Sequence, residues 1–275
     1  MSQSAVPTFS IGEAIGWAWK LTWRNFWRFL LVAVVFFFLN AAISAVVSIP
    51  TNVTQGLVDT SGASDAQSIA LGAGALLFGL ISGVVQFVVT SFLTFATIRI
   101  ALSVTRGEDV ELKTAFVFKG FGWYLLCALV VGILAAVGFL VPTLIFGGIG
   151  FLIGDNTGIV MVSIGVLIGV LVAIVISVGF TFFGYAIVDR DATGLDGLKV
   201  SWELVRPHFW KVVGLGVLLA LIAVGLLAAA LVAGVLMIVI GLLVTLPLAG
   251  VLIFGLGSLS YAFAYQRMSG NSIAN

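Results

Sequence analysis

Few side chains in this sequence could do chemistry. The one histidine, His208, sits in RPHFW with no second histidine, paired cysteine or acidic cluster beside it. A metal site needs three or four converging ligands, so His208 reads as an interfacial residue. The single cysteine, Cys127, lies in an apolar run, which excludes an intramolecular disulfide and a CxxC metal site. No GxSxG, P-loop, HExxH or GxGxxG followed by an acid occurs. Hydrolase and nucleotide chemistry need such groups. The expectation is a protein that is not an enzyme and holds no cofactor.

What remains inside the apolar runs is polar but uncharged: Asn40, Gln86, Thr90, Ser91, Ser163, Ser177 and Thr245. Gln86 lies nearest mid-span, and Thr90 follows one turn later on the same face. The pair forms either an interhelical hydrogen bond or a polar patch lining a substrate path. A proton- or sodium-coupled carrier usually needs a buried carboxylate, and the spans carry none.

The elements that must position these residues follow from composition. The 275 residues are 61% hydrophobic and 8% charged, with mean hydropathy +1.27. Such a chain cannot cover its surface in water, so the bilayer is its solvent. The N-terminus, with no basic residue and no apolar core, does not read as a cleavable signal peptide. Apolar runs mark spans at Phe29–Ile49, Ser68–Ile98, Tyr124–Ile153 and Gly158–Val188. Val212–Tyr265 is too long for one helix and splits in two within Met237–Leu243. The fold class is therefore all-α and polytopic, with six transmembrane helices in a single membrane domain, residues 1–275.

Charge orients them. Lys20, Arg24 and Arg28 precede span one, and Arg99, Arg106, Lys113 and Lys119 lie between spans two and three. Arg190, Lys199, Arg206 and Lys211 lie between spans four and five, and Arg267 follows span six. All twelve basic residues thus fall on one side. The opposite side carries only Asp59, Asp65 and Asp155. The positive-inside rule then makes both termini cytoplasmic, in the inner membrane of a bacterium. Net charge is +1, so no nucleic acid or other polyanion is implied as partner.

Tryptophan follows the same side: Trp17, Trp19, Trp23, Trp27, Trp123, Trp202 and Trp210 all precede odd-numbered spans. Indole prefers the headgroup level. WKLTWRNFWR (19–28) aligns without gaps to WELVRPHFWK (202–211), and AFVFKGFGWY is a fainter middle copy. Ser10-x-x-Glu13, Thr105-x-x-Glu108 and Thr193-x-x-Asp196 read as helix starts before each copy. FATIR, YAIVDR and YAFAYQR close the even spans. These features imply three same-sense repeats, about 10–104, 105–190 and 191–268, each led by a cytoplasmic amphipathic helix. On a helix, Lys20, Arg24 and Arg28 line up opposite Ile15, Ala18, Trp19, Thr22, Phe26 and Phe29. That arrangement suits a helix in the membrane surface touching anionic headgroups. In copy three the surface helix should end near Val205 and bend at Pro207. Asn25 should cap span one. The headgroup set is Trp19, Lys20, Trp23, Arg24, Trp27, Arg28, Trp123, Lys199, Trp202, Arg206, Trp210 and Lys211.

Gly150-x-x-x-Gly154, Gly165-x-x-x-Gly169 and Ala229-x-x-x-Ala233 are small-residue faces that let helices approach. Pro142 and Pro247 fall inside spans and should kink them. Asn52-Val-Thr54 is a formal glycosylation sequon, of consequence only in a eukaryote.

LDGLKVSWELVRPHFWKVVGLGVLLAL resembles a segment of uncharacterised bacterial six-helix membrane proteins, of the type ALKxSWELxxxNFWK. Similar segments occur in the membrane domain of some glycerophosphodiester phosphodiesterases. Leu198, Lys199, Ser201, Trp202, Glu203, Leu204, Phe209, Trp210 and Lys211 carry it; Pro207-His208 departs from it. The resemblance implies the architecture and no activity, and the phosphodiesterase acids and histidines are absent. The sequence therefore reads as a non-enzymatic membrane protein that organises the envelope or serves as a subunit or scaffold. Its partners would be anionic lipids, a membrane protein or a second copy. The alternative is a transporter or channel for a lipid or small apolar solute. A central cavity faced by Gln86 and Thr90 would favour the alternative, and a solid core the scaffold.

Overall fold

The structure is a computed structural model. It describes residues 9–60, 65–108, 116–236, 240–271 and 273, without side-chain detail at 46–60, 65–73, 75–76, 155, 234–236 and 240–244. The described residues form nine α-helices: α1 (Ile11–Arg24), α2 (Phe26–Thr60), α3 (Asp65–Thr105), α4 (Phe121–Ile153), α5 (Asp155–Gly179), α6 (Phe183–Arg190), α7 (Asp196–Val205), α8 (Phe209–Leu236) and α9 (Ile240–Met268). Six segments are long and apolar enough to cross a membrane, as the sequence requires.

Three antiparallel pairs, α2/α3, α4/α5 and α8/α9, make up the bundle. The α4/α5 pair shows how sequence forces such a hairpin. Gly154 alone separates the helices, at φ 64° and ψ −172°, a conformation open essentially to glycine. Gly165 and Gly169 then face α4. A Cβ on Gly169 would lie 2.5 Å from the Phe139 carbonyl oxygen, and one on Gly165 2.7 Å from Phe146 Cβ. The glycines allow close backbone contact along the pair.

The core gathers at the end that carries the basic residues. There α1 packs on α9, with Ala14, Ala18, Leu21 and Thr22 buried, and α7 packs on α6. Tyr185 stacks on Tyr265 at 5.5 Å and Phe182 lies 6.2 Å from Tyr261. Half of α9's most apolar stretch is buried (50%), against 11 to 17% in the other five spans, so α9 is the central helix. Salt bridges join the same end: Arg106 to Asp189 at 2.6 Å, Lys119 to Asp191 at 2.9 Å and Arg267 to Glu13 at 2.9 Å.

Burial around the two aligned segments runs in register at an offset of 183 (202 − 19). Ala18 and Ser201, Thr22 and Val205, Phe29 and Val212, and Val32 and Leu215 are all buried. Trp19 and Trp202 are 42% and 43% exposed, Trp27 and Trp210 77% and 81%. The surface helix α7 ends at Val205 and a 3-10 turn through Pro207 leads into α8, as expected.

Several expectations are corrected. Span four is not one helix. It breaks at Phe180–Phe182, where buried Ser201 donates to the Gly179 carbonyl (3.0 Å) and accepts from the Phe182 N–H (3.1 Å). This side-chain pairing compensates the lost helical bonds. Among the described residues, only Ser10 of the three helix-start boxes caps, accepting from Glu13 N–H at 3.1 Å. Thr105 ends α3 and donates back to the Leu102 carbonyl, and α7 begins without a side-chain cap. Asn25 serves both helices: its side chain donates to the Leu21 carbonyl at the end of α1, and its own carbonyl accepts from the Phe29 N–H at 3.0 Å to open span one. On α8, Ala230 rather than Ala229 is buried. The expected loop at 51–68 is shorter, because helix continues to Thr60 and resumes at Asp65. Lys113, Met237–Val239 in the turn between spans five and six, and the side chains of Asp59, Asp65, Asp155 and the Asn52 sequon lie outside the described residues.

Candidate functional site

A cleft of about 1010 Å³ opens between α2, α3 and α9, inside the span region. Its walls follow from helical periodicity. On α3, Thr90, Thr94 and Thr97 recur at i, i+4 and i+7 and therefore share one face. On α2, Ala33, Phe36, Phe37 and Asn40 face the same space, and on α9 the wall runs from Leu246 to Tyr261. That stretch is about 22 Å long at 1.5 Å per residue. Toward the basic end the cleft is closed. One turn beyond Ala33 and Thr97, Phe29 and Ala101 are both fully buried. Laterally, Phe37 and Phe38 at its rim are exposed.

No lining residue carries a charge; the lining is apolar apart from a few hydroxyls and one amide. Thr94 donates to the Thr90 carbonyl, Thr97 to the Leu93 carbonyl and Ser258 to the Phe254 carbonyl. These donors are spent, but each oxygen keeps a lone pair for a ligand. The Tyr261 hydroxyl makes no hydrogen bond among the described residues. Gly250 and Gly257 also line the cleft, and a Cβ at either would meet nothing within 4 Å.

Gln86 and Thr90 come together as expected. The Gln86 side chain donates to Asn40 across the α2/α3 pair and to Thr90, each at 3.5 Å. Thr90 lines the cleft, while Gln86 stands behind it. Sequence reading placed Asn40 and Thr90 among the polar residues but overlooked Thr94, Thr97, Ser258 and Tyr261. The one-face spacing of Thr90, Thr94 and Thr97 was the available signal; Ser258 and Tyr261 carried none.

The headgroup set is exposed throughout. Trp19, Trp23, Trp27, Trp123, Trp202 and Trp210 are exposed, as are Lys20, Arg24, Arg28, Lys199, Arg206 and Lys211. Trp19 and Trp23, Trp23 and Phe26, and Phe26 and Trp27 form a ladder with centroids 5.8, 5.5 and 5.6 Å apart. The apolar face of α1 is thus split, one edge packed on α9 and the tryptophan edge turned outward. Trp17 departs from the interfacial pattern and packs on Phe263 at 5.2 Å. Asp189 went unremarked in the sequence. Its side chain is 8% exposed and accepts from Arg106, Tyr265 (3.2 Å) and Asn271 (3.3 Å), tying α3, α6 and α9 together.

A family model described as a domain of unknown function (DUF7847) matches residues 53–266. The chain belongs to that family. The match spans α3 to nearly the end of α9 and so takes in two of the three cleft walls. No curated protein and no solved structure matches the chain.

Proposed function

We propose that this DUF7847 protein is a non-enzymatic lipid-handling protein of the bacterial cytoplasmic membrane, taking an apolar ligand from the bilayer into the α2/α3/α9 cleft. The observation that carries the reading is the cleft itself. Its volume reaches the upper end of the range for ligand pockets, about 300–1,000 Å³, and its walls are apolar, uncharged and open sideways. The scaffold reading draws on the packed basic end; the cleft in mid-span favours the transporter alternative. Gly250→Leu is the test. Its Cβ meets no atom within 4 Å, so the longer side chain enters the cleft without disturbing a packed contact. Mass spectrometry of lipids retained by the purified protein should show at least one species lost in Gly250→Leu. Identical lipid profiles would count against the reading.

Anionic-lipid contact at the surface helices is a second reading, favoured by the outward tryptophan ladder beside exposed Lys20 and Arg24. Three basic residues near an anionic leaflet contribute about 3 kcal/mol before screening. Changing Lys20, Arg24 and Arg28 to Gln should reduce phosphatidylglycerol retention. Unchanged retention argues instead for a protein partner at this face. The three-repeat organisation is proposed on the same footing, supported by the matched burial of the first and third units.

A further inference from the structure

We infer that the cleft selects lipids whose head is uncharged and bears a hydroxyl, and rejects ionised heads. This rests on the proposed lipid-handling reading and specifies its ligand. The argument begins with what the walls lack. None of the lining residues is an acid, lysine, arginine or histidine. A carboxylate or phosphate drawn in would be desolvated without a counter-charge, which is costly. Arg99 lies only two residues beyond Thr97, about 3 Å along the axis. It does not help, because two residues turn the helix through roughly 200° and put Arg99 on another face. Its guanidinium donates to the Lys119 carbonyl at 2.6 Å and lies over Phe95 at 5.0 Å.

The hydrogen-bonding balance then selects among uncharged heads. Thr94, Thr97 and Ser258 have spent their protons on their own helix and offer acceptors. Tyr261 retains its hydroxyl proton among the described residues, at the border of the cleft with α8, where a Cβ on Gly216 would lie 3.0 Å from the hydroxyl. The Asn40 amide and the Thr90 hydroxyl line the cleft as further donors, so a lining of donors and acceptors without charge matches a head that can donate and accept. An alcohol or glycerol hydroxyl does both, whereas a carboxylate only accepts. Thr97 and Tyr261 are the lining residues of α3 and α9 nearest the basic end, about 12 and 10 Å along the axis from the helix ends at Thr105 and Met268. The apolar remainder, from Phe254 to Leu246, runs from the middle of α9 toward its far end and suits the chain. A head at Thr97 and Tyr261 with its chain running down α9 satisfies both parts of the lining.

The experiment compares 1-oleoylglycerol with oleate at pH 9, where oleate is ionised. Binding of each radiolabelled lipid to the purified full-length chain is measured for wild type, Gly257→Leu and Tyr261→Phe. Wild type should bind 1-oleoylglycerol at least tenfold tighter than oleate. Tyr261→Phe deletes one hydroxyl without changing the ring, and should weaken 1-oleoylglycerol binding about three- to tenfold, as expected for one hydrogen bond. It should leave oleate little changed. Gly257→Leu should abolish binding of the glyceride. Equal or tighter oleate binding, or an unchanged preference in Tyr261→Phe, overturns the selectivity while leaving the cleft reading intact if Gly257→Leu still loses both lipids. Failure of wild type to bind either lipid, or equal binding by Gly257→Leu, overturns the cleft reading as well.

Discussion

The two ends of the bundle are built differently from similar sequence. At the basic end, helices from all three hairpins interlock around α9, with stacked aromatics, ion pairs and the buried Asp189. Toward the opposite end the α4/α5 hairpin touches mainly itself. The buried described residues of α5 before the break at Phe180 are glycines, Gly158, Gly165 and Gly169 against α4 and Gly179 against Trp202, and Ile159, Leu167, Leu171 and Val175 are exposed. The difference teaches where association energy comes from in lipid. Apolar side chains gain little by leaving acyl chains for one another, so packing concentrates where polar groups and close backbones supply it. The basic end has both; the far end has mainly glycine contacts within a pair. The cleft lies between these regimes.

Breaking the basic end should have the largest effect. Asp189→Ala removes an acceptor shared by Arg106, Tyr265 and Asn271. The expected loss is about 1.5–3 kcal/mol, the range for hydrogen bonds to a charged group. Thermal unfolding in detergent measures it. Cys127, buried beside the Gly194 carbonyl at 3.3 Å, provides a local reporter. Its labelling by a thiol reagent should accelerate in Asp189→Ala.

Ser201→Ala sharpens the comparison within the same end. It strips partners from the Phe182 N–H and the Gly179 carbonyl at the break in span four. A cost of about 1–3 kcal/mol is expected for the buried groups left unpaired. Ser201→Thr, which keeps the hydroxyl, should recover part of it; no recovery would assign the role to size rather than to hydrogen bonding.

At the far end, Gly169→Leu forces a side chain against the Phe139 backbone. Overpacking costs about 1–3 kcal/mol, but here the hairpin can separate into lipid. Cysteine pairs introduced across α4/α5 should crosslink more slowly, while Cys127 labelling stays at the wild-type rate. Faster Cys127 labelling would mean that the two ends are coupled. The smallest effect is expected at Thr245→Val, which removes a 2.9 Å hydrogen bond to the Ala230 carbonyl between α9 and α8. Interhelical hydrogen bonds in membranes average about 0.6 kcal/mol, so the unfolding midpoint should move only slightly.

Much of this architecture was legible in the chain, because the bilayer reads residue type directly. An apolar run of sufficient length must become a helix, so the six spans and the gathering of the described basic residues at one end followed without any contact information. The alignment of Trp19 with Trp202 likewise anticipated their equal exposure. Tertiary structure decided the rest. That α9 is central, that Asp189 rather than a sequence motif ties the return helices, and that span four breaks where Ser201 can pair its ends all depend on which helices meet. The cleft depends on this too. Thr90, Thr94 and Thr97 mark a face, but only the approach of α2 and α9 gives it opposing walls. Hydropathy determines what must lie in the membrane; it is nearly silent on which lipid-soluble surface faces another helix and which faces lipid, since both are equally apolar.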